Sequence, residues 1–231
     1  MSRLRWFDII DCSSADFTQL RGRILAAQIK PGDTSGFSIS TSTQKQVEGK
    51  YVKKYEYTQK ILDPFGKTYE IPIFGYDEVN FRLFSAGPSL ELIRCPANSV
   101  NLLINQIYEL LPAKRAISEA SVLPLVWLEF LAPHLDGFEV TMASLRDVSI
   151  TNSISAKVTL TGAEDVREAI RKLLGNRKYA VEKLRLNARY SGQDIKIELH
   201  SEGNATYLPV IDNAPEILRE SLSKARKKSK V

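Results

Sequence analysis

The four residues Asp63-Pro64-Phe65-Gly66 constrain the fold more than any others in the chain, because they stand between two long extended runs, Val47 to Leu62 and Thr68 to Tyr76. Proline presets its own φ and glycine relieves the exit, so the tetrapeptide is a turn. The flanking runs then become the strands of one long antiparallel hairpin, preceded by a further extended segment, Phe37 to Thr43. Upstream, Leu4 to Ile10 suits a strand. Ser13 or Ser14 can cap a helix in which Phe17, Leu20, Ile24 and Leu25 recur at helical spacing, before Lys30 to Gly36 ends it.

Two later stretches share an order of strand, turn, strand, helix. In the first, from Val79, Asn98 or Ser99 is the expected cap, and Val100, Leu103, Ile104, Ile107 and Leu111 form one helical face. The second runs from Phe138 to Gly175. Its helix carries Val166, Ile170, Leu173 and Leu174 and stops at Gly175. Val148 to Leu160 alternates, with Val148, Ile150, Ile154, Ala156, Val158 and Leu160 on the packed side. A second hairpin spans Lys183 to His200 around Ser191-Gly192-Gln193-Asp194, with Leu184, Leu186, Ala188, Ile195, Ile197 and Leu199 expected inward. A last helix enters at Asn213 or Pro215.

These elements predict an α+β fold: two modules of antiparallel sheet with helices packed on one face, and a ββα architectural repeat as one reading of their order. The first module takes residues 1–135 with the long hairpin, the second residues 136–223 in the order ββαββα, divided near Pro133 to Gly137. Residues 224–231 are expected to be a basic flexible tail. They hold five basic side chains and no acidic one, and the whole chain has a net charge of +5, so the folded remainder is neutral. The high pI therefore does not describe a basic domain.

Hydrophobic residues at 43% and charged residues at 26% belong to a folded globular chain and exclude a disordered one. Cys12 and Cys95 are too few for a disulfide framework or a zinc site. Charges at Arg3, Arg5, Asp8 and Asp11 interrupt any signal-like apolar core, and the apolar run from Ser121 to Leu135 falls short of the ~20 residues of a membrane span. The expectation is a soluble cytoplasmic protein without membrane association.

Three surfaces are candidates for function. In the long hairpin, alternation sets Tyr51, Lys53, Tyr55 and Tyr57 on one face, with Lys50 and Lys54 on the other. Aromatic rings beside a cation are what single-strand binders use to stack bases and neutralise phosphates; the same residues also suit an edge strand with a soluble face. In the second hairpin, Lys183, Arg185 and Arg189 can follow a phosphate backbone or pair locally with Glu182 and Glu198. Lys224, Arg226, Lys227, Lys228 and Lys230 on the tail add affinity for any polyanion. The third surface is apolar. Leu123, Trp127, Phe130 and Leu131 form a helical stripe that is either core or a protein-docking face.

Signals for catalysis are sparse. His134 and His200 are isolated, and Cys12 stands before a helix without a basic motif. The triplets Glu48 to Lys50 and Asp194 to Lys196 match the last element of a metal nuclease pattern, at a frequency chance alone explains. Asp8 and Asp11 fall on opposite faces of a strand. There is no glycine-rich phosphate loop, GxSxG elbow or HExxH, and no metal or small-molecule cofactor is inferred. The expected function is a non-catalytic accessory subunit binding single-stranded nucleic acid; the alternatives are a protein-assembly subunit of a multi-protein complex docking through residues 122–131, and a metal-dependent nuclease using Asp194.

Overall fold

The computed structural model describes residues 2–87, 89–94, 99–112, 115–151 and 153–229. Cys95, Asn98 and Lys230 lie outside them. The fold is mixed α+β, with five helices and eleven strands among the described residues. Contacts divide the chain into two compact units, one of Ile9–Ile117 and one that joins the residues up to Asp8 with those from Ser118 onward.

This division departs from a boundary at Pro133 to Gly137. Strand β1 (Ser2–Ile9) pairs with β11 (Asn204–Leu208) in antiparallel register from Ser2 opposite Tyr207 to Arg5 opposite Asn204. Helix α3 (Pro124–Leu131) packs on α5 (Ala214–Ser229), β9 (Ala180–Tyr190) and β10 (Gln193–His200). Both segments thus bury their apolar side chains among C-terminal elements. The first unit is an insertion between β1 and β6 (Ile117–Glu119), which pair with each other.

The inserted unit contains α1 (Ser14–Ala26), β2 (Ser35–Ser42), β3 (Gln46–Leu62), β4 (Thr68–Phe84), β5 (Leu90–Ile93) and α2 (Val100–Leu110). Its strands lie in the order β2-β3-β4-β5, all antiparallel. Ser13 starts α1 through a capping box: its hydroxyl accepts from the Asp16 N–H at 3.1 Å, and the Asp16 carboxylate accepts from the Ser13 N–H at 2.9 Å. The Ser13 hydroxyl, which also donates to that carboxylate at 2.7 Å, and the Ser13 N–H, with Arg115 at 2.8 Å, hold the Asp16 carboxyl below its ordinary range. Phe17, Leu20 and Ile24 are buried, as are Phe37, Val47, Tyr51, Val79, Phe81 and Leu83 of the sheet and Leu103 and Ile107 of α2, and α1 lies against β2 and α2. Phe37 is the hub, 5.1 Å from the Tyr51 ring and 5.7 Å edge-on to Phe81.

The discontinuous unit has the strand order β1-β11-β10-β9-β7-β8, where β7 is Phe138–Ser149 and β8 is Ser155–Thr161. Leu184, Leu186, Ala188, Ile195, Ile197 and Leu199 are all buried, as the alternation of the second hairpin requires. Ser191 and Gly192 close that hairpin with φ of 50° and 76°, a two-residue turn whose twist matches the strands. Trp6 of β1 stands edge-on to Trp127 of α3 at 5.6 Å.

Three expectations change. The alternating run Val148 to Leu160 is broken by a turn between β7 and β8, leaving Ile150 and Ile154 exposed. Asn204–Leu208 adds a strand, so the C-terminal order is ββαβββα, counting α4 (Val166–Leu174). The chain from Lys224 to Ser229 is not a flexible tail but the end of α5, because Ala225 is buried and Arg226 forms a bidentate pair with Asp8 of β1. The ββα order does recur, as β4-β5-α2 and β7-β8-α4, with different packing: α4 lies on β7 and β8, whereas α2 lies beside α1.

Candidate interaction surfaces

Strands β3 and β4 are 17 residues each and pair without a break from Gln46 opposite Phe84 to Leu62 opposite Thr68. Their neighbours are shorter. Strand β2 accompanies β3 only as far as Lys53, and β5 accompanies β4 only from Asn80 onward. From Lys54 opposite Tyr76 to the turn, the hairpin is therefore a two-stranded arm, nine residue pairs long and about 30 Å at the usual rise of a strand.

The turn is built by Asp63. Its carboxylate accepts from the backbone N–H of Phe65 at 2.9 Å and of Lys67 at 2.8 Å, and its own N–H donates to the Lys67 carbonyl at 2.9 Å. Phe65 is held out at the tip, 94% exposed.

Because paired residues share a face, the core face of the inserted unit, with Tyr51 opposite Val79, continues outward along the arm. Along it come Tyr55 opposite Gly75, Tyr57 opposite Ile73, Gln59 opposite Ile71 and Ile61 opposite Tyr69. Tyr55, Tyr57, Ile61, Tyr69 and Ile71 are 41–52% exposed. Tyr55 spreads over Gly75, whose missing side chain leaves the room, and its ring stacks on Tyr57 at 6.2 Å and 18°. The opposite face is mixed: Lys54 sits 4.4 Å over the Phe74 ring, and Lys60 pairs with Glu70 at 2.9 Å. From Lys53 to Asp77 there are four lysines and four carboxylates, so the arm has no net charge.

The expected nucleic-acid residues are divided between the two units. Tyr51 is 5% exposed and its hydroxyl donates to Gln106 of α2 at 3.2 Å, so it is a core residue and cannot stack on a base. Lys50 pairs with Glu78 at 2.8 Å, whereas Lys53, Tyr55 and Tyr57 remain open on the arm. In the second hairpin, Glu198 takes Arg185 at 2.7 Å and Lys183 at 2.8 Å, and Arg189 lies 3.6 Å from Asp194. Burial raises the Glu198 pKa, but the hydrogen bonds from Lys183 and Arg185 outweigh it and hold the carboxyl below its ordinary value. Burial, with the Lys183 charge, pushes His200 down, so it adds no cation at neutral pH. On α5, Arg226 is taken by Asp8 and Lys228 by Glu129 at 2.6 Å, leaving Lys224 and Lys227 exposed.

The apolar stripe on α3 is also corrected. Trp127 and Leu131 are buried, and the Trp127 Nε1–H donates to the Ser221 hydroxyl at 3.0 Å and the Leu218 carbonyl at 3.3 Å. Phe130 is half-buried, and only Leu123 is exposed. Trp127 thus ties α3 to α5.

Cys12 is partly buried, and burial together with the Asp16 charge pushes its thiol pKa up against the pull of Arg115. It is a poor nucleophile. Among the described residues, no three His, Cys, Asp or Glu side chains come together in a way that could hold a metal, and no helix is long and apolar enough to cross a membrane. An open depression of about 630 Å³ on the discontinuous unit is lined by Phe138, Ile195, Leu208 and Pro209, with Glu139, Asp194 and Lys196 also in its lining.

Sequence reasoning missed Ile61, Phe65, Tyr69, Ile71 and Ile73. The signal was present: once the Asp63 to Gly66 turn fixes the register, Tyr55, Tyr57, Ile61, Tyr69, Ile71 and Ile73 fall on one face, with Leu62, Phe74 and Tyr76 on the other. No protein-family model matches the chain, and no curated protein resembles it at a significant level.

Proposed function

We propose that the protein is a non-catalytic assembly subunit, and that the arm of β3 and β4, rather than α3, is the element with which it docks onto protein. One observation carries the reading: the arm presents an apolar face of tyrosine and isoleucine side chains about half exposed. Monomeric soluble proteins rarely leave more than a few hundred Å² of contiguous apolar surface to water, and larger patches mark binding sites. A two-stranded ribbon is at best marginally stable in water without something on its apolar side. Tyrosine is also among the residues that most often anchor interfaces. The neutral charge of the arm and the internal pairing of most of the expected cations favour a protein surface over a polyanion. A cytoplasmic setting belongs to the same proposal and is supported by the sparse cysteine content.

The test is an arm-shortened variant in which residues 56–74 are replaced by Asn-Gly, a turn suited to close the remaining strands. Retention of protein partners from host extract, further copies of the chain included, should be lost with the arm while the melting curve of the remainder is kept. Identical retention by both forms would overturn the reading.

Nucleic-acid binding remains a second reading, favoured by the stacked, half-exposed pair Tyr55 and Tyr57 with Lys53 on the same face. Base stacking contributes about 1–3 kcal/mol per base. Tyr55→Ala with Tyr57→Ala should then weaken single-strand binding in an anisotropy titration at every salt concentration; no binding by the parent protein would exclude it.

A further inference from the structure

We infer that the occupant of the arm's apolar face is the same face of a second copy, packed antiparallel so that the tip of each arm reaches the base of the other. This rests on the assembly reading above and names its partner.

The first argument is the order of residues along the arm. Paired positions sum to a constant, so a two-fold axis crossing the middle of the arm, at the level of Thr58 and Pro72, exchanges its two ends. Under that operation Lys53 meets Asp63 of the second copy, and Asp77 meets Lys67. Each charged end finds its opposite. Between them Tyr55 meets Ile61, Ile73 meets Ile71, and Tyr57 meets Gln59, whose amide can bond the phenol. An isologous interface needs this self-complementarity.

The second argument is steric. A parallel pairing would match charges equally well, but the arm's face is also the face that α2 covers at Tyr51, through the bond from Tyr51 to Gln106. Parallel arms would bring two α2 helices to the same end and the same side. Antiparallel arms set each α2 beside the other copy's tip, where Phe65 stands uncovered.

The third argument is area. Aromatic side chains bury about 150–250 Å² each, so three tyrosines and two isoleucines near half exposure, with Phe65, offer on the order of 600 Å² per copy. Two copies bring together about 1,200 Å², the lower edge of specific interfaces. Zero net charge on the arm removes long-range repulsion between copies.

The experiment is sedimentation equilibrium of the purified full-length protein through the micromolar range, with Tyr57→Lys beside it, and thiol cross-linking of paired variants. A concentration-dependent dimer is expected, with association weakened about a hundredfold by Tyr57→Lys, which touches no core residue and should keep the parent's melting curve; Ile71→Lys is the second variant. Mixing Tyr55→Cys with Ile61→Cys should give a cross-linked dimer that the parent, carrying only Cys12 and Cys95, does not form. A protein that stays monomeric, a dimer indifferent to both lysine variants, or a cross-link between Tyr57→Cys and Ile73→Cys in place of the expected one overturns the inference. A monomer that still loses its extract partners with the arm leaves the assembly reading standing and removes only the self-pairing. A monomer that binds single-stranded nucleic acid through Tyr57 overturns both.

Discussion

The two long hairpins, β3 with β4 and β9 with β10, carry similar alternation of apolar and polar residues and opposite fates. In β9 and β10 the apolar positions are buried, and the outward cations converge on Glu198. In the outer part of β3 and β4 the apolar positions meet water. The cause is not in the strands. The β9–β10 hairpin lies between β7 and β11, with α3 against it, whereas among the described residues no further strand accompanies the arm beyond Lys53 and Asn80. Period-two patterning says which residues share a face; neighbours decide whether that face is covered.

The comparison can be broken by substitution. The largest effect belongs to α3, which covers the second hairpin: Trp127→Ala should cost about 3–5 kcal/mol of unfolding free energy in urea, where a docking residue would cost almost nothing. Leu186→Ala should follow at about 2–5 kcal/mol, against no more than about 0.5 kcal/mol for Ile71→Ala assayed below the concentration of self-association. Equal costs would mean that the arm is covered within its own chain. Tyr51→Ala and Tyr55→Ala sharpen the contrast within one strand: the first should destabilise by about 2–4 kcal/mol and the second by under about 1 kcal/mol.

The smallest effect is electrostatic. The Glu198 pKa is lower in the folded state than its ordinary 4.5. Its ionised form therefore stabilises the fold fully above 4.5, and that contribution fades as pH falls through the lower folded value. The stability gap between parent and Glu198→Gln should close on acidification in that window, and a gap that widened there would contradict the pairing.

Local features were legible in the sequence because local chemistry makes them. Ser13 caps α1, Asp63 to Gly66 turns the chain, and the inward residues of β9 and β10 are those the alternation names. Features set by partners distant in sequence were not legible. Tyr51 reads as the first member of an exposed tyrosine row until Phe37 and Gln106 close over it. Lys224 to Ser229 read as a tail because nothing nearby says that Arg226 meets Asp8, 218 residues away. The apolar stripe of α3 reads equally as core or surface until Ser221 and Leu218 take the indole N–H. At the candidate site, the hairpin itself was legible and its uncovered face was not.

The pairing of Ser2 with Tyr207 sets a clock on synthesis. At roughly 5–20 residues per second, β1 waits about 10–40 s for β11 to be made. During that interval Leu4 and Trp6, both destined for full burial, lack the β11 side of their sheet. The inserted unit is complete much earlier, and its ends already meet where the Ile10 N–H donates to the Ala116 carbonyl at 2.9 Å. Its closure converts a long loop into a short link and carries β1 to β6 before the rest of its sheet exists, so on the ribosome the insertion serves as the clasp that keeps the first strand in reach of the last.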